Sequence, residues 1–240
     1  MLCYDKIAAP GRKLAILIDP EKLSIPAIIS TVFSANETGV DLVLVGGSLV
    51  SAKIDSVIEV IKNNCRIPVV LFPGSIMQLS NKADALLLLS LVSGRNPDYL
   101  IGNHVLAAPY IRRSNIEVIP TGYILVDGGN VTSVEYVSNT RPIPADKTDL
   151  VVATAMASEM MGQKLIYLEA GSGALKHIPA NVVAEVKQNI SIPLMVGGGI
   201  NTYDKARLLL DAGADMIVVG TAIEQNLSKL GQIAKAVAKY

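Results

Sequence analysis

Two glycine-rich turns near the end of the chain have the composition of a phosphate-binding site. Residues 197–199 are all glycine, and Gly220 is followed by Thr221; each turn directly follows a short apolar run. Bare backbone N–H groups at such turns, together with the start of a helix, bind a phosphate-sized anion. A single glycine is explained equally well by the needs of a tight turn, so the prediction depends on both turns. A dinucleotide site is disfavoured, because the first strand-helix unit lacks a G-x-G-x-x-G motif.

A carboxylate occupies a second candidate segment, residues 167–173, whose sequence is YLEAGSG. If this segment ends a β-strand, alternation places Tyr167 and Glu169 on the same side. A glutamate beside a phosphate can accept a proton from a bound hydroxyl group, which makes Glu169 the candidate general base. An exposed loop glutamate is the alternative, and it is the commoner fate of this residue type. The flanking Leu168 and the Gly-Ser-Gly turn favour the catalytic interpretation.

Asp19 and Ser48 are the candidate ligands of a metal ion. Asp19 follows the first apolar run of the chain, and Ser48 follows the second after two glycines. Alone, Asp19 is explained equally well as the cap of a turn or helix. If the two runs are neighbouring strands, both oxygens can face one cation. Magnesium accepts one or two protein oxygens and completes its shell with water and substrate phosphates, so a Mg²⁺ site suited to a diphosphate is predicted.

Four other side chains are assigned structural or solvent-exposed positions. His104 and His177 have no second histidine or cysteine at ligand spacing. Lys22 can reach a phosphate, but a solvated lysine is the more common situation. Lys164 stands at the start of a predicted strand, which is the wrong end for a Schiff-base lysine in a barrel.

The elements that must position these residues form a repeating pattern of short apolar runs followed by helical periodicity. Eight strands are predicted, at residues 14–18, 42–45, 69–72, 85–89, 118–126, 165–168, 194–196 and 216–219. Eight such units favour a single (β/α)₈ TIM-type barrel over residues 1–240, with the candidate residues at its C-terminal face. Residues 131–149, which contain Pro142 and Pro144, are predicted to form a long loop before a helix at residues 150–161.

Composition limits the classes of protein and partner. The chain has 240 residues, with 21 Lys and Arg balancing 21 Asp and Glu, so no overall charge favours nucleic acid or anionic lipid. Two cysteines without metal spacing are typical of a reducing, cytoplasmic setting. No apolar run approaches the ~20 residues that span a bilayer, so no transmembrane anchor is expected. Apolar helical surfaces suggest a homo-oligomer.

These motifs, in this order, resemble the geranylgeranylglyceryl phosphate synthase family, which also includes bacterial heptaprenylglyceryl phosphate synthases. The resemblance covers nearly the whole chain. The shared segments are LIDPEK at 17–22, VGGS at 45–48, LFPG at 71–74, IGNHV at 101–105, PTGYI at 120–124, YLEAGSG at 167–173, VGGGI at 196–200 and VVGT at 218–221.

The resemblance implies a Mg²⁺-dependent prenyltransferase that joins sn-glycerol 1-phosphate to a long-chain prenyl diphosphate. It implies that Asp19 and Ser48 bind Mg²⁺ and that Glu169 faces the hydroxyl group to be alkylated. The implied contacts with glycerol phosphate are Tyr167, Leu168, Glu169, Ala170, Gly171, Ser172 and Gly173, with the phosphate group on Gly198, Gly199, Gly220 and Thr221. Residues 99–111 are the candidate wall of an apolar channel for the prenyl tail.

Two positions depart from the family pattern. Leu17 stands where one bacterial branch has a lysine, which points away from the heptaprenyl branch. Thr221 occupies a position where asparagine is also common, so its backbone contribution is kept while its side-chain contact is open.

Two other functions fit the residues. Sugar phosphate isomerases and lyases use the same phosphate turns and would need a second acid or base, a role open to Asp19. A barrel that binds phosphoglycerol without turnover is the third possibility. A requirement for metal separates the isomerase from the transferase, and product formation separates both from the binding protein.

Overall fold

The structure, a computed structural model, describes residues 2–238 and contains a closed barrel of eight parallel strands in sequential order. The strands are β1 Lys13–Ile18, β2 Leu42–Val45, β3 Val69–Leu71, β4 Ala85–Leu91, β5 Glu117–Leu125, β6 Leu165–Glu169, β7 Leu194–Gly197 and β8 Met216–Val219. β1 pairs with β8 as well as with β2, which closes the sheet. The predicted barrel is confirmed, and each predicted strand is present with its ends within two residues.

Helices cover most of the outside of the barrel. They are α1 Cys3–Ala8, α2 Ile25–Thr38, α3 Ile54–Asn64, α4 Asn103–Ser114, α5 Ser133–Ser138, α6 Thr148–Met160, α7 Ala180–Asn189, α8 Tyr203–Asp211, α9 Thr221–Gln225 and α10 Lys229–Val237, with a π-turn at Asp98–Gly102 before α4. No helix among residues 2–238 is long and apolar enough to cross a bilayer.

The connection between β3 and β4 departs from the predicted repeat of strand and helix. It contains only a 3₁₀ turn, Ile76–Gln78, because Pro73, Gly74 and Ser75 are followed by too short a segment for an amphipathic helix. The outer side of β4 is therefore left for α4 to cover. An apolar cavity lies between these two elements.

The prediction of a long loop at residues 131–149 is wrong in part. Helix α5 occupies its first third, and its N-cap Thr132 accepts a hydrogen bond from the backbone N–H of Glu135. Ile143 pairs with Val126 as an isolated bridge, and α6 begins at Thr148. The T-x-x-E pattern of Thr132 and Glu135 is a helix-start signal that the prolines at 142 and 144 obscured.

Alternation along each strand divides the core into two layers. On β6, Tyr167 packs in the cluster inside the barrel, while Leu168 packs in the cluster between strands and helices. The buried side chains of Cys3 and Ile7 on α1 extend the inner cluster at the N-terminal end. Side chains thus fill the N-terminal end of the barrel, and the open space lies at its C-terminal face.

Candidate active site

One cavity at the C-terminal face of the barrel collects most of the predicted site residues. Most of its lining is contributed by the segments that follow β1, β2, β6, β7 and β8. The predicted residues that line it are Asp19, Ser48, Tyr167, Glu169, Gly171, Ser172, Gly173, Gly198, Gly199, Gly220 and Thr221. Strand order accounts for this convergence, since the C-terminal ends of all parallel strands meet at one face.

Two of the predicted substrate contacts are placed differently. The side chains of Leu168 and Ala170 are buried in the outer core layer and do not line the cavity. Alternation along β6 explains this position, because residues 168 and 170 point away from the side that carries Tyr167 and Glu169. Any contact of these two residues with a ligand would come from the backbone.

Glu169 is a buried carboxylate at the bottom of the cavity. It is 6% exposed, and its Oε1 accepts a 2.6 Å hydrogen bond from the backbone N–H of Gly171. Burial raises its pKa above the ordinary glutamate value, while the hydrogen bonds from Gly171 and from the Tyr167 hydroxyl oppose the rise. A fixed carboxylate with a raised pKa is suited to accept a proton near neutral pH.

Three aromatic rings pack together on the floor beneath Glu169. The ring centroid of Phe72 lies 5.7 Å from that of Tyr123 and 5.3 Å from that of Tyr167, and the two tyrosine rings meet edge to face at 5.5 Å. Burial, followed by the nearby charge of Glu169, raises the pKa of both tyrosines. Both hydroxyl groups therefore stay protonated, and the one on Tyr167 donates to Glu169.

The backbone of Gly198 fits closely against Glu169, and only glycine satisfies both its conformation and its space. Its φ is +84°, a left-handed value that L side chains adopt rarely. A Cβ atom there would lie 2.6 Å from Oε1 of Glu169 and 2.8 Å from the backbone nitrogen of Ala170. The first glycine turn therefore sets the position of the carboxylate as well as exposing backbone N–H groups.

The second glycine turn meets the loop after β6. Gly220 is the N-cap of α9, and the hydroxyl groups of Ser172 and Thr221 lie 3.1 Å apart. Two hydroxyl groups and the backbone of two glycine turns thus share one wall of the cavity. This wall has the donors that a phosphate group requires.

Asp19 and Ser48 line the same cavity from the segments after β1 and β2, and β1 is the neighbour of β8 in the closed sheet. Oδ1 of Asp19 accepts a hydrogen bond from the backbone N–H of Glu21 at 3.0 Å. The carboxylate lies against Gly47, where an added Cβ would be 2.9 Å from Oδ2, so it is adjacent to the chain that carries Ser48. One carboxylate and one hydroxyl group are oxygen donors that fit Mg²⁺. Within residues 2–238, no group of three His, Cys, Asp or Glu side chains could hold a metal ion by itself.

Lys22 and Glu224 are cavity residues that the sequence analysis did not place in the site. Lys22 was assigned to solvent, yet its Nζ lies 2.8 Å from Ser172 Oγ, 3.5 Å from Asp19 Oδ2 and 3.6 Å from Glu224 Oε2. The available signal was positional, since Lys22 lies three residues after Asp19 and Glu224 lies three after Thr221. Burial raises the pKa of Glu224, and the charge of Lys22 opposes that rise.

A second, apolar cavity adjoins the first. The two share Gly47, Ser48, Phe72, Tyr123 and Val134 in their linings. From there the apolar cavity continues along β4 and is walled by Tyr99, Asn103, His104, Ala107 and Ile111. These five lie within the predicted channel wall at residues 99–111.

His104 lies inside this wall rather than on the surface. Its Nε2 is 3.2 Å from the hydroxyl of Ser90, and burial lowers its pKa. The imidazole is therefore neutral at physiological pH, which suits an apolar cavity.

A barrel with a wall of glycine turns and hydroxyl groups suited to phosphate, a buried carboxylate and an adjoining apolar cavity is typical of one class: TIM-barrel enzymes that act on a phosphorylated ligand carrying or receiving an apolar group. Comparison with known sequences identifies the group within that class. The chain belongs to the PcrB family, whose profile matches residues 11–238.

Relatives that carry one name match almost the whole chain. A geranylgeranylglyceryl phosphate synthase of Chitinophaga pinensis is 49% identical over 234 residues, which are 97% of this chain and 93% of the relative. A protein of the same name from Thermococcus kodakarensis is 42% identical over 224 residues, covering 92% of this chain and 86% of that one. The resemblance predicted from the motifs is confirmed.

A solved structure matches the fold closely. It is the (S)-3-O-geranylgeranylglyceryl phosphate synthase of Thermoplasma acidophilum, in complex with its substrate sn-glycerol-1-phosphate. It aligns with a TM-score of 0.91 at 36% identity and covers 96% of this chain and 94% of its own.

Proposed function

We propose that this protein is a geranylgeranylglyceryl phosphate synthase. It transfers a prenyl group from a prenyl diphosphate to a hydroxyl group of sn-glycerol 1-phosphate and so forms the ether bond of a lipid precursor. The observation that carries the proposal is the position of Glu169. It is a buried carboxylate in a cavity that has a phosphate-binding wall and an apolar neighbour.

Glycerol phosphate occupies the side of the cavity formed by β6, β7 and β8. Its phosphate group binds the backbone of Gly198, Gly199, Gly220 and Thr221. The glycerol part lies along residues 167–173, with its free hydroxyl toward Glu169. The fixed orientation of Glu169, hydrogen-bonded by Gly171, supports this placement because a general base must lie within hydrogen-bond reach of the proton it removes.

The prenyl diphosphate occupies the other side. Its tail lies in the apolar cavity between β4 and α4, and its diphosphate reaches the shared lining near Ser48. Asp19 and Ser48 would hold Mg²⁺, which when bound neutralises the charge that collects on the departing diphosphate. The short β3–β4 connection supports this arrangement, since it leaves the apolar cavity accessible.

The reaction joins the two substrates at the boundary between the cavities. A bond forms between the glycerol hydroxyl oxygen and the first carbon of the prenyl chain, the bond from that carbon to the diphosphate breaks, and the hydroxyl proton passes to Glu169. An allylic carbon ionises easily, so the protein mainly positions the two substrates and excludes water. The aromatic floor of Phe72, Tyr123 and Tyr167 supplies a dry surface below Glu169.

Incubation of the purified chain with sn-glycerol 1-phosphate, Mg²⁺ and prenyl diphosphates of increasing length, followed by mass spectrometry, tests the proposal. The expected product is a prenylglyceryl phosphate. Geranylgeranyl diphosphate is expected among the preferred donors. Absence of product with every donor would overturn it. Turnover of a sugar phosphate that survives exhaustive chelation would instead support a barrel isomerase.

A further inference from the structure

Lys22 stands where three loops of the cavity meet. It belongs to the loop after β1, it donates to Ser172 in the loop after β6, and it pairs with Glu224 on α9, after β8. Its side chain is 42% exposed, so the ammonium group faces the open cavity while remaining in contact with all three. A ligand that enters the cavity therefore meets this group directly.

The charges around the cavity make Lys22 unusual. Four carboxylates line it: Asp19, Glu21, Glu169 and Glu224. Among the described lining residues, Lys22 is the single basic side chain. A phosphate monoester carries nearly two negative charges at neutral pH, so four carboxylates oppose its entry. Backbone N–H groups bring only partial charges, so a full positive charge beside them strengthens the attraction for the ligand.

We infer that Lys22 is a phosphate-binding residue of the glycerol phosphate site and that Glu224 holds it in place. This inference rests on the proposed function and adds a residue to that site. Ser172 Oγ connects Lys22 to the second glycine turn, because it lies 2.8 Å from Nζ of Lys22 and 3.1 Å from Oγ1 of Thr221. A phosphate group on the second glycine turn is consequently within reach of the ammonium group.

Glu224 acts through Lys22. Its side chain is 10% exposed, and its Oε2 lies 3.6 Å from Nζ. A lysine stem has four rotatable bonds, and the mostly buried carboxylate of Glu224, together with Asp19 Oδ2 at 3.5 Å, reduces the number of positions that it samples. Glu224 is thus a positioning residue, which keeps the ammonium group at the phosphate wall.

Titration calorimetry with sn-glycerol 1-phosphate, in the absence of Mg²⁺ and prenyl diphosphate, tests the inference on the full chain. Lys22→Met is expected to weaken binding at least tenfold, because a charge-assisted hydrogen bond to phosphate is lost. Lys22→Arg should retain most of the affinity, since it keeps the charge. Lys62→Met is the matched control: Lys62 has nearly the same side-chain exposure, 41%, and pairs with Asp84 away from the cavity, so binding should stay at the wild-type level.

The role of Glu224 is tested by a double-mutant cycle in the same assay. Glu224→Gln alone is expected to weaken binding about threefold, because loss of the contact that positions Lys22 outweighs the removal of one repelling carboxylate. In the Lys22→Met protein only the repulsion is removed, so the same substitution should not weaken binding further. Equal effects in both backgrounds would show that Glu224 acts independently of the lysine. That result would overturn its positioning role.

Two results separate this inference from the proposed function. If Lys22→Met melts like the wild type and binds glycerol phosphate with the wild-type Kd, the inference is wrong even when the wild type makes product. If the wild type binds glycerol phosphate through Lys22 but makes no product with any prenyl diphosphate, the inference stands and the proposed function fails. A wild type that binds no glycerol 1-phosphate overturns both.

Discussion

The backbone N–H of Gly171 donates a 2.6 Å hydrogen bond to Oε1 of Glu169, two residues earlier in the chain. This bond turns the last residue of β6 into a fixed group at the bottom of the cavity. The Tyr167 hydroxyl is the second donor to the same carboxylate. Both donors come from within two residues of Glu169, so the base is oriented by its own strand and loop.

Replacing Glu169 by Gln is expected to reduce kcat by about 10²–10⁴-fold, the usual contribution of a general base. Glutamine keeps the shape of the side chain and can still accept from Gly171, so calorimetry should show glycerol 1-phosphate binding close to that of the wild type. Unchanged turnover would remove Glu169 from the role of base.

The same substitution is expected to stabilise the fold. Burial raises the pKa of Glu169 in the folded protein above its value in the unfolded chain, so folding opposes ionisation. The free energy of unfolding therefore falls as the pH rises from the unfolded pKa through the folded pKa. Glutamine carries no charge to desolvate. Calorimetric melting at pH 8 should therefore give a higher Tm for Glu169→Gln than for the wild type, with the difference shrinking as pH is lowered. A Tm gain that is independent of pH would contradict this cause.

Tyr167→Phe should shift the pH profile of turnover. Burial is the main cause of the raised pKa of Glu169, and the Tyr167 hydroxyl opposes it by donating to the carboxylate. Without that donor the pKa rises further. Because the base must be unprotonated, the acidic limb of kcat/KM should move to higher pH.

The control for this prediction is Tyr123→Phe. Its ring packs against Tyr167 at 5.5 Å, but its hydroxyl is not among the groups that hydrogen-bond to Glu169. The acidic limb should stay at the wild-type pH in this variant. Equal shifts in both variants would indicate a general packing effect rather than loss of a specific donor.

The sequence predicted the barrel and the side of the barrel that carries the site, because both depend on local patterns. Apolar runs of fixed spacing predict strands, and glycine turns predict where the strands end. Alternation on β6 likewise predicted that Tyr167 and Glu169 share a side, and the structure confirms it. The same rule, applied to Leu168 and Ala170, would have placed their side chains outside the cavity.

What the sequence did not predict depends on contacts between distant loops. Lys22 meets Ser172 across 150 positions of the chain, and its place three residues after Asp19 indicates the nearby cavity but not this contact. The burial of His104 in the apolar cavity has a similar origin, since it results from the missing helix between β3 and β4. From sequence alone, an isolated lysine is predicted to be solvated and an isolated histidine to be structural, because the residues that contact them in the fold are not known.

Gly198→Ala is expected to damage both stability and activity. The left-handed backbone alone costs a substituted residue about 1–3 kcal/mol. In addition, the new Cβ would collide with Oε1 of Glu169 and with the backbone of Ala170, so the base must move. We expect a loss of kcat/KM of about two orders of magnitude, since misplacement by about 1 Å has effects of this size.

Gly162→Ala is the matched control. Gly162 has a φ of +92° but no atom within 4 Å of an added Cβ. Because of the backbone strain, Gly162→Ala should lower the free energy of unfolding measured by urea denaturation. Its kcat/KM should stay at the wild-type value. A Gly198→Ala protein with wild-type kcat/KM would show that the first glycine turn does not set the position of the base.

Removal of Mg²⁺ should abolish product formation, and Asp19→Asn should raise the Mg²⁺ concentration needed for half-maximal activity at least tenfold. A neutral amide is a weaker ligand than a carboxylate for a hard cation. Glycerol 1-phosphate binding in the absence of metal should persist in this variant, which shows that the site is still folded. Full activity after exhaustive chelation would exclude the proposed metal site.

Filling the apolar cavity should change the preference of the enzyme for long over short prenyl donors. Ala107 on α4 is buried and faces this cavity, while the next residue, Ala108, is exposed on the outer side of the same helix. Ala107→Phe should fill part of the cavity, so that KM for a long prenyl diphosphate rises at least tenfold while a short donor is used as before. The Kd for glycerol 1-phosphate should not change, because its site is in the other cavity. Ala108→Phe adds the same ring outside the cavity and should leave donor preference unaltered. If both phenylalanine variants keep the wild-type preference in competition assays read by mass, the tail does not lie between β4 and α4.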